Sequence, residues 1–207
     1  MNCKSIAALA AGLLCAAPAF SSMLTLDFEG NSDYSFVGDF YNGGTNSAGE
    51  SGANLGVSFG PDTLAVANSA DFTYYSNAPT PGAIMAPIGA DAAMNVATGI
   101  YGFFSLFYST AADVSIDVFS GLNGSGDLLS SLTLFANAQN GCSDTLYCNW
   151  DLAELSFGGV AQSIQFGGAA GAGFDNVTFA VPSPATNGLM LTGLGGLALL
   201  GRRRRNA

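Results

Sequence analysis

Between residues 20 and 180 apolar and polar positions alternate in short runs. In "LTLDFEG", Leu24, Leu26 and Phe28 fall on one face, with Thr25, Asp27 and Glu29 on the other. That two-residue period is the signature of a half-buried strand. Comparable runs recur in "NLGVSFG", "TLAVAN", "DFTYY", "GIYGFFSLFYS", "DVSIDVFS", "DLLSSLTLF", "DLAELSFGG", "QSIQFGG" and "FDNVTFAV". Gly, Asn, Ser, Pro and Asp separate them, and no amphipathic helical run of useful length intervenes. "DVFSGLNGSGDLLSSLTLF" predicts a hairpin turning over Gly121 to Gly126. The Ser/Gly stretch from Gly43 to Gly52 predicts a long surface loop. There is no fixed-period repeat and no internal linker. Many short strands with Gly-rich turns predict an all-β domain, a sandwich or a barrel.

The two ends have a different pattern. Lys4 precedes an apolar run from Ile6 to Ala17, and Ala17-Pro18-Ala19 supplies small residues for signal peptidase. This predicts a secretory signal peptide over 1–19, cut after Ala19, with Ser21 as the second choice. At the other end, Ala185 to Gly201 is seventeen residues in which only Thr186, Asn187 and Thr192 are polar. As a helix it would span roughly 25 Å, a little short of the ~30 Å hydrocarbon core. Arg202, Arg203, Arg204 and Arg205 follow it and should stay cytoplasmic under the positive-inside rule. A single C-terminal transmembrane helix, with the body on the far side, is the expectation. The order of parts is Val181-Pro182-Ser183-Pro184-Ala185, then a Gly-rich apolar stretch, then the Arg cluster. That order resembles the PEP-CTERM sorting signal of Gram-negative bacteria. The resemblance covers about the last 26 residues, and Ser183 stands where that signal usually carries Glu. It implies an exosortase-like sorting peptidase as a partner after signal peptidase. It also implies transient anchoring in the inner membrane, then a place at the cell surface or in the exopolysaccharide matrix. The body resembles the jelly-roll-like sandwiches that precede such tails. The expected organisation is a signal peptide over 1–19, a jelly-roll-like β-sandwich over 20–180 and a sorting signal over 181–207.

Charge narrows the function. All fifteen acids lie between Asp27 and Asp175, whereas Lys4 and the four arginines lie at the ends. Such an acidic body has no electrostatic footprint for nucleic acid. Histidine is absent, which removes His-based triads and acid–base work and most zinc sites. The lack of lysine in the body removes Schiff-base chemistry. Any enzyme here would run on carboxylates or a metal, and no catalysis is expected.

Three sets of residues could carry a function or a brace. Cys142 and Cys148 should pair outside the cell. Closing so short a loop is worth roughly 2–2.5 kcal/mol by chain entropy. Asp27 and Glu29 share a strand face with Cα atoms about 6.5–7 Å apart, and Asp113 and Asp117 share another about 13 Å apart. Only the first pair matches the ~5–9.5 Å that a glycoside hydrolase needs, and a solvated strand face is the plainer reading. Asp175 has the parity of the apolar residues Val177 and Phe179, so it should point inward and need a partner. Backbone N–H groups, hydroxyls, amides or a cation could serve. Calcium is the one cofactor for which the sequence offers ligands, namely Asp27, Glu29 and Asp175, if the first and last strands are neighbours. Tyr74, Tyr75, Tyr108, Tyr147 and Trp150 are the aromatic residues available to stack on a sugar, with core filling as the plainer role. Tyr147 and Trp150 flank Cys148 and are the candidate ligand residues. The leading expectation is an exported, surface- or matrix-associated structural or adhesive protein. The alternative is a carbohydrate-binding module contacting exopolysaccharide, and a carboxylate glycoside hydrolase ranks last.

Overall fold

The computed structural model describes residues 21–182. The expected signal peptide, Ser183, Pro184, Ala185, the apolar stretch and Arg202 to Arg205 lie outside the described residues. Among the described residues no helix is long and apolar enough to cross a membrane.

Ten strands follow one another: β1 (Ser21–Leu26), β2 (Ser35–Phe36), β3 (Val57–Phe59), β4 (Thr63–Asn68), β5 (Gly82–Pro87), β6 (Ala93–Ser109), β7 (Val114–Phe119), β8 (Leu128–Leu134), β9 (Asp151–Gln165) and β10 (Gly173–Pro182). A single 3-10 turn spans Gly167–Ala169. All pairings between the strands are antiparallel, and the order is β2-β4-β5-β10-β6-β9-β7-β8, with β1 on β10 and β3 on β6. The all-β expectation holds. The layers are joined by hydrogen bonds into one curled sheet around a core that includes Leu26, Phe28, Phe59, Met85, Met94, Phe104, Ile116 and Phe179. Phe28 meets Tyr41 and Phe59 edge-on at ring-centroid distances of 6.2 and 5.8 Å, the favoured geometry for aromatic pairs.

β1 and β10 are neighbours, as the calcium argument required, with Leu26 opposite Val177. The hairpin of β7 and β8 turns where expected, closed by Ser120 N–H to Asp127 O and Gly121 N–H to Ser125 O. The stretch from Gly43 to Gly52 is a loop, pinned from within by Glu50, which accepts from Ser32 and Asn46.

Three differences have physical causes. The glycines read as a break between "DLAELSFGG" and "QSIQFGG", like those within "GIYGFFSLFYS", are irregularities inside long strands. β6 and β9 shift register between Asn95 and Ile100 and again between Tyr101 and Phe103, and Gly99, Gly102 and Gly159 have positive φ there. Glycine admits such bulges because it has no Cβ to clash. β5 has no alternation because both of its faces are covered: Ala83 and Met85 join the main core, while Ile84 and Ala86 join a second cluster. "DFTYY" forms no strand; only Tyr75 makes isolated bridges, to Asn68 and Tyr147.

Candidate functional site

Asp175 is fully buried, as its parity predicted. Its carboxylate accepts the Thr80 N–H at 2.9 Å, the Thr80 hydroxyl at 2.8 Å and its own neighbour's Asn176 N–H at 2.8 Å. Burial pushes its pKa up, these hydrogen bonds oppose that rise, and Asp27 adds repulsion. Glu29 is also raised, first by burial; the Ala83 N–H works against the rise, and Asp27 and Asp175 add to it. The three carboxylates named from sequence therefore do sense one another. Among the described residues, however, no group of three His, Cys, Asp or Glu side chains is arranged to hold a metal ion. Thr80 supplies most of the partnering that Asp175 needs. It was not among the sequence candidates, because a lone Thr in a loop carries no signal of its own. Asp113 and Asp117 face different tasks: Asp113 accepts the Ala136 N–H at 2.9 Å and Asp117 the Ser131 hydroxyl.

The disulfide Cys142–Cys148 is formed, with Cα atoms 6.0 Å apart. Its loop is stitched to residues 73–76: Leu146 and Tyr147 N–H donate to Thr73 and Tyr74 carbonyls, and Ser76 N–H to the Tyr147 carbonyl. Tyr147 stacks on Tyr75 at 4.9 Å, and Trp150 lies 6.2 Å from Tyr75 while its indole N–H donates to Ser76 O at 2.9 Å. Together with Leu64, Val66, Ile84 and Ala86 they cover the face of β4 and β5 that points away from the main core. Tyr147 and Trp150 are thus half-buried supports as well as candidate ligands, and Tyr147 also borders a polar cleft of about 370 Å³ with Gln139 and Asn140. Tyr108 belongs to the main core.

Where this cover stops, aromatic rings remain open. Tyr34, Phe72 and Tyr74 are 59, 53 and 47% exposed. Tyr34 and Tyr74 border a cleft of about 360 Å³ floored by Leu64, Val66 and Ala86. The same two rings, with Phe72 and Asp33, border an adjoining recess of about 190 Å³. The two share Tyr34, Val66 and Tyr74 and form one groove. Tyr34 is held at φ +58, a left-handed conformation uncommon for a bulky residue. Its neighbours fix it there, through Asp33 to the Ala67 N–H at 2.8 Å and Ser35 Oγ to the Ser32 carbonyl at 2.7 Å. Tyr74 was a sequence candidate; Tyr34 and Phe72 were not, although Phe72 shares the parity of Tyr74 in "DFTYY".

No protein-family model and no curated protein matches the chain. Among solved structures it is similar to a family 29 carbohydrate-binding module from Piromyces equi, at 8% identity and a TM-score of 0.40 over 81% of this chain and 95% of that one. It is similar to a family 6 carbohydrate-binding module whose binding sub-sites were dissected, at 17% identity and a TM-score of 0.39 over 59% of this chain and 83% of that one. It is also similar to a carbohydrate-binding module of Cellvibrio mixtus lichenase 5A in complex with cellotriose, at 13% identity and a TM-score of 0.36 over 60% of this chain and 89% of that one.

Proposed function

We propose that this is an exported, non-catalytic surface protein that contacts a polysaccharide through the groove bordered by Tyr34 and Tyr74. The observation that carries the proposal is the groove itself: open aromatic rings beside an apolar floor formed by β4 and β5. A pyranose presents an apolar face of C–H groups, and flat aromatic rings offer it contact area at low entropic cost. Binding of this kind is weak per site and suits adhesion within an exopolysaccharide matrix, where many copies act together. Delivery follows the C-terminal resemblance: signal peptidase removes 1–19, the apolar stretch over 185–201 would hold the chain transiently, and an exosortase-like peptidase acts near Val181 to Ala185. Calcium at Asp27, Glu29 and Asp175 would be an added brace; it is not needed for the groove.

Affinity electrophoresis through gels containing the host's own exopolysaccharide tests the binding. The expected result is retardation of the protein that is lost in the Tyr34→Ala/Tyr74→Ala double variant. Retardation that survives this change but is lost on Tyr147→Ala or Trp150→Ala would move the site to the disulfide loop. Delivery is tested by the intact mass of protein recovered from the native host's surface. A species running from about residue 20 to about residue 185 is expected; one that keeps Arg202 to Arg205 in the membrane fraction would overturn the processing step.

A further inference from the structure

We propose that the Asp33 end of the groove binds an organic ammonium group, so that the glycan taken there is one carrying free amino sugars. This rests on the glycan reading above and makes it specific. The recess of about 190 Å³ is bordered by one carboxylate, Asp33, and three aromatic side chains, Tyr34, Phe72 and Tyr74. None of the three rings is buried, whereas the neighbouring Tyr75 joins the adjoining apolar cluster. An aromatic face carries negative quadrupolar potential and attracts a cation placed over it. A carboxylate beside such faces adds charge and a hydrogen-bond acceptor. Asp33 Oδ1 takes the Ala67 N–H at 2.8 Å, which fixes the group, and among the described residues its other oxygen has no donor.

Nothing among the described residues can supply the missing cation. No Lys, Arg or His lies between residues 21 and 182, against fifteen acids. A divalent metal is a poor occupant, since it demands several oxygen ligands and the recess offers one carboxylate among rings. A protonated amine on a sugar satisfies both features at once: the ammonium meets Asp33 and the ring faces, and the pyranose continues into the adjoining cleft past Tyr34 and Tyr74. N-acetylation would remove the charge and abolish the match. The excess negative charge of the whole body would also concentrate a polycationic chain near the groove.

The test is calorimetric titration of the full chain at about pH 6, where such amines stay protonated. The probes are a glucosamine oligomer, its fully N-acetylated counterpart and a glucose oligomer of equal length. The expected result is at least about tenfold tighter binding of the glucosamine oligomer, equivalent to about 1.4 kcal/mol. Asp33→Asn keeps an oxygen for the Ala67 N–H, so it should fold normally and lose that preference. Asp127→Asn, an exposed acid in the β7–β8 turn, should keep it. Equal binding of all three oligomers would overturn the ammonium inference while leaving the glycan reading intact. A preference that persists in Asp33→Asn would overturn it too, since the body's overall charge would then be the cause. Binding of none of them, together with no retardation in native polysaccharide, would remove both.

Discussion

Removing the disulfide should lower stability without disturbing the folded site. Cys142 and Cys148 close a loop with a sequence separation of 6. Chain entropy for so short a loop gives about 2.3 kcal/mol, lost when the cross-link no longer restrains the unfolded chain. For a domain of this size 1 kcal/mol moves Tm by roughly 2–4 °C, so the expected fall is about 5–9 °C. The folded loop has other restraints. Leu146 and Tyr147 N–H donate to Thr73 and Tyr74, and Cys148 and Asn149 N–H both donate to the Ala138 carbonyl. None of these needs the S–S bond. Trp150 is the only tryptophan in the chain, and it sits beside Tyr75 with its N–H on Ser76 O. Its emission therefore reports on this cluster alone. The assay is thermal unfolding of Cys142→Ala/Cys148→Ala, with the reduced natural chain alongside to separate the cross-link from the small void left by the buried Cys148 sulfur. Both should melt lower by the stated amount, with Trp150 emission at 20 °C unchanged. A shift under about 2 °C would refute the loop-entropy magnitude. A red shift of Trp150 emission in the folded variant would refute the mechanism, because the disulfide would then be holding the cluster in place.

Three further outcomes are expected. Gly60→Ala should cost about 2 kcal/mol or more in urea unfolding, because a Cβ there would overlap the Asp91 carbonyl, a backbone atom that cannot step aside. Stability should rise as pH falls from neutral toward 4.5 and 3.8: Asp175 and Glu29 have folded pKa values raised by burial above these values, so their contribution is complete below them and is lost as pH climbs through the folded ones. Glu50, held low by Ser32 and Asn46, acts in the opposite sense only below 4.5; Tm against pH should show the rise, and Asp175→Asn should flatten it. Adding salt to about 0.5 M should raise Tm by screening the uncompensated acids, and a Tm that falls or stays level would count against that charge argument.

Alternation is clearest in strands with one wet face, although β4, covered on both faces, is also read whole from "TLAVAN". β1 and β7 alternate; "DVSIDVFS" falls within a residue of the bounds of β7, whereas "LTLDFEG" begins three residues inside β1 and runs four past its end. In β1 the alternation of burial even outlasts the pairing, since Phe28 is fully buried although the strand ends at Leu26 and Phe28 itself has φ +59. β5 failed the same test for a physical reason. With Ile84 and Met85 both fully buried on opposite faces, a period of two disappears, and the five residues between Pro81 and Pro87 carry no strand signal. The glycines of β6 and β9 misled in the other direction. A glycine with positive φ looks alike in a turn and in a bulge, and only the partner strand tells them apart.

The same logic explains which part of the site could be foreseen. Parity placed Asp175 inside, and the pairing of β1 with β10 brought Glu29 and Asp27 within its electrostatic reach. Parity could not place Thr80, whose loop comes from a distant part of the chain to satisfy it. For the groove, the informative residues are the adjacent pair Tyr74 and Tyr75. One ring is 5% exposed and joins the cluster with Tyr147 and Trp150; the other is 47% exposed and borders the groove. The covering loops thus bury alternate aromatics against the free face of β4 and leave the rest at its margin. Packing draws Tyr75 inward, whereas Tyr34, Phe72 and Tyr74 stay open around one recess. Their remaining open, beside a fixed carboxylate in a chain segment without a cation, is the physical reason to place the ligand there and not on the aromatic residues nearest the disulfide.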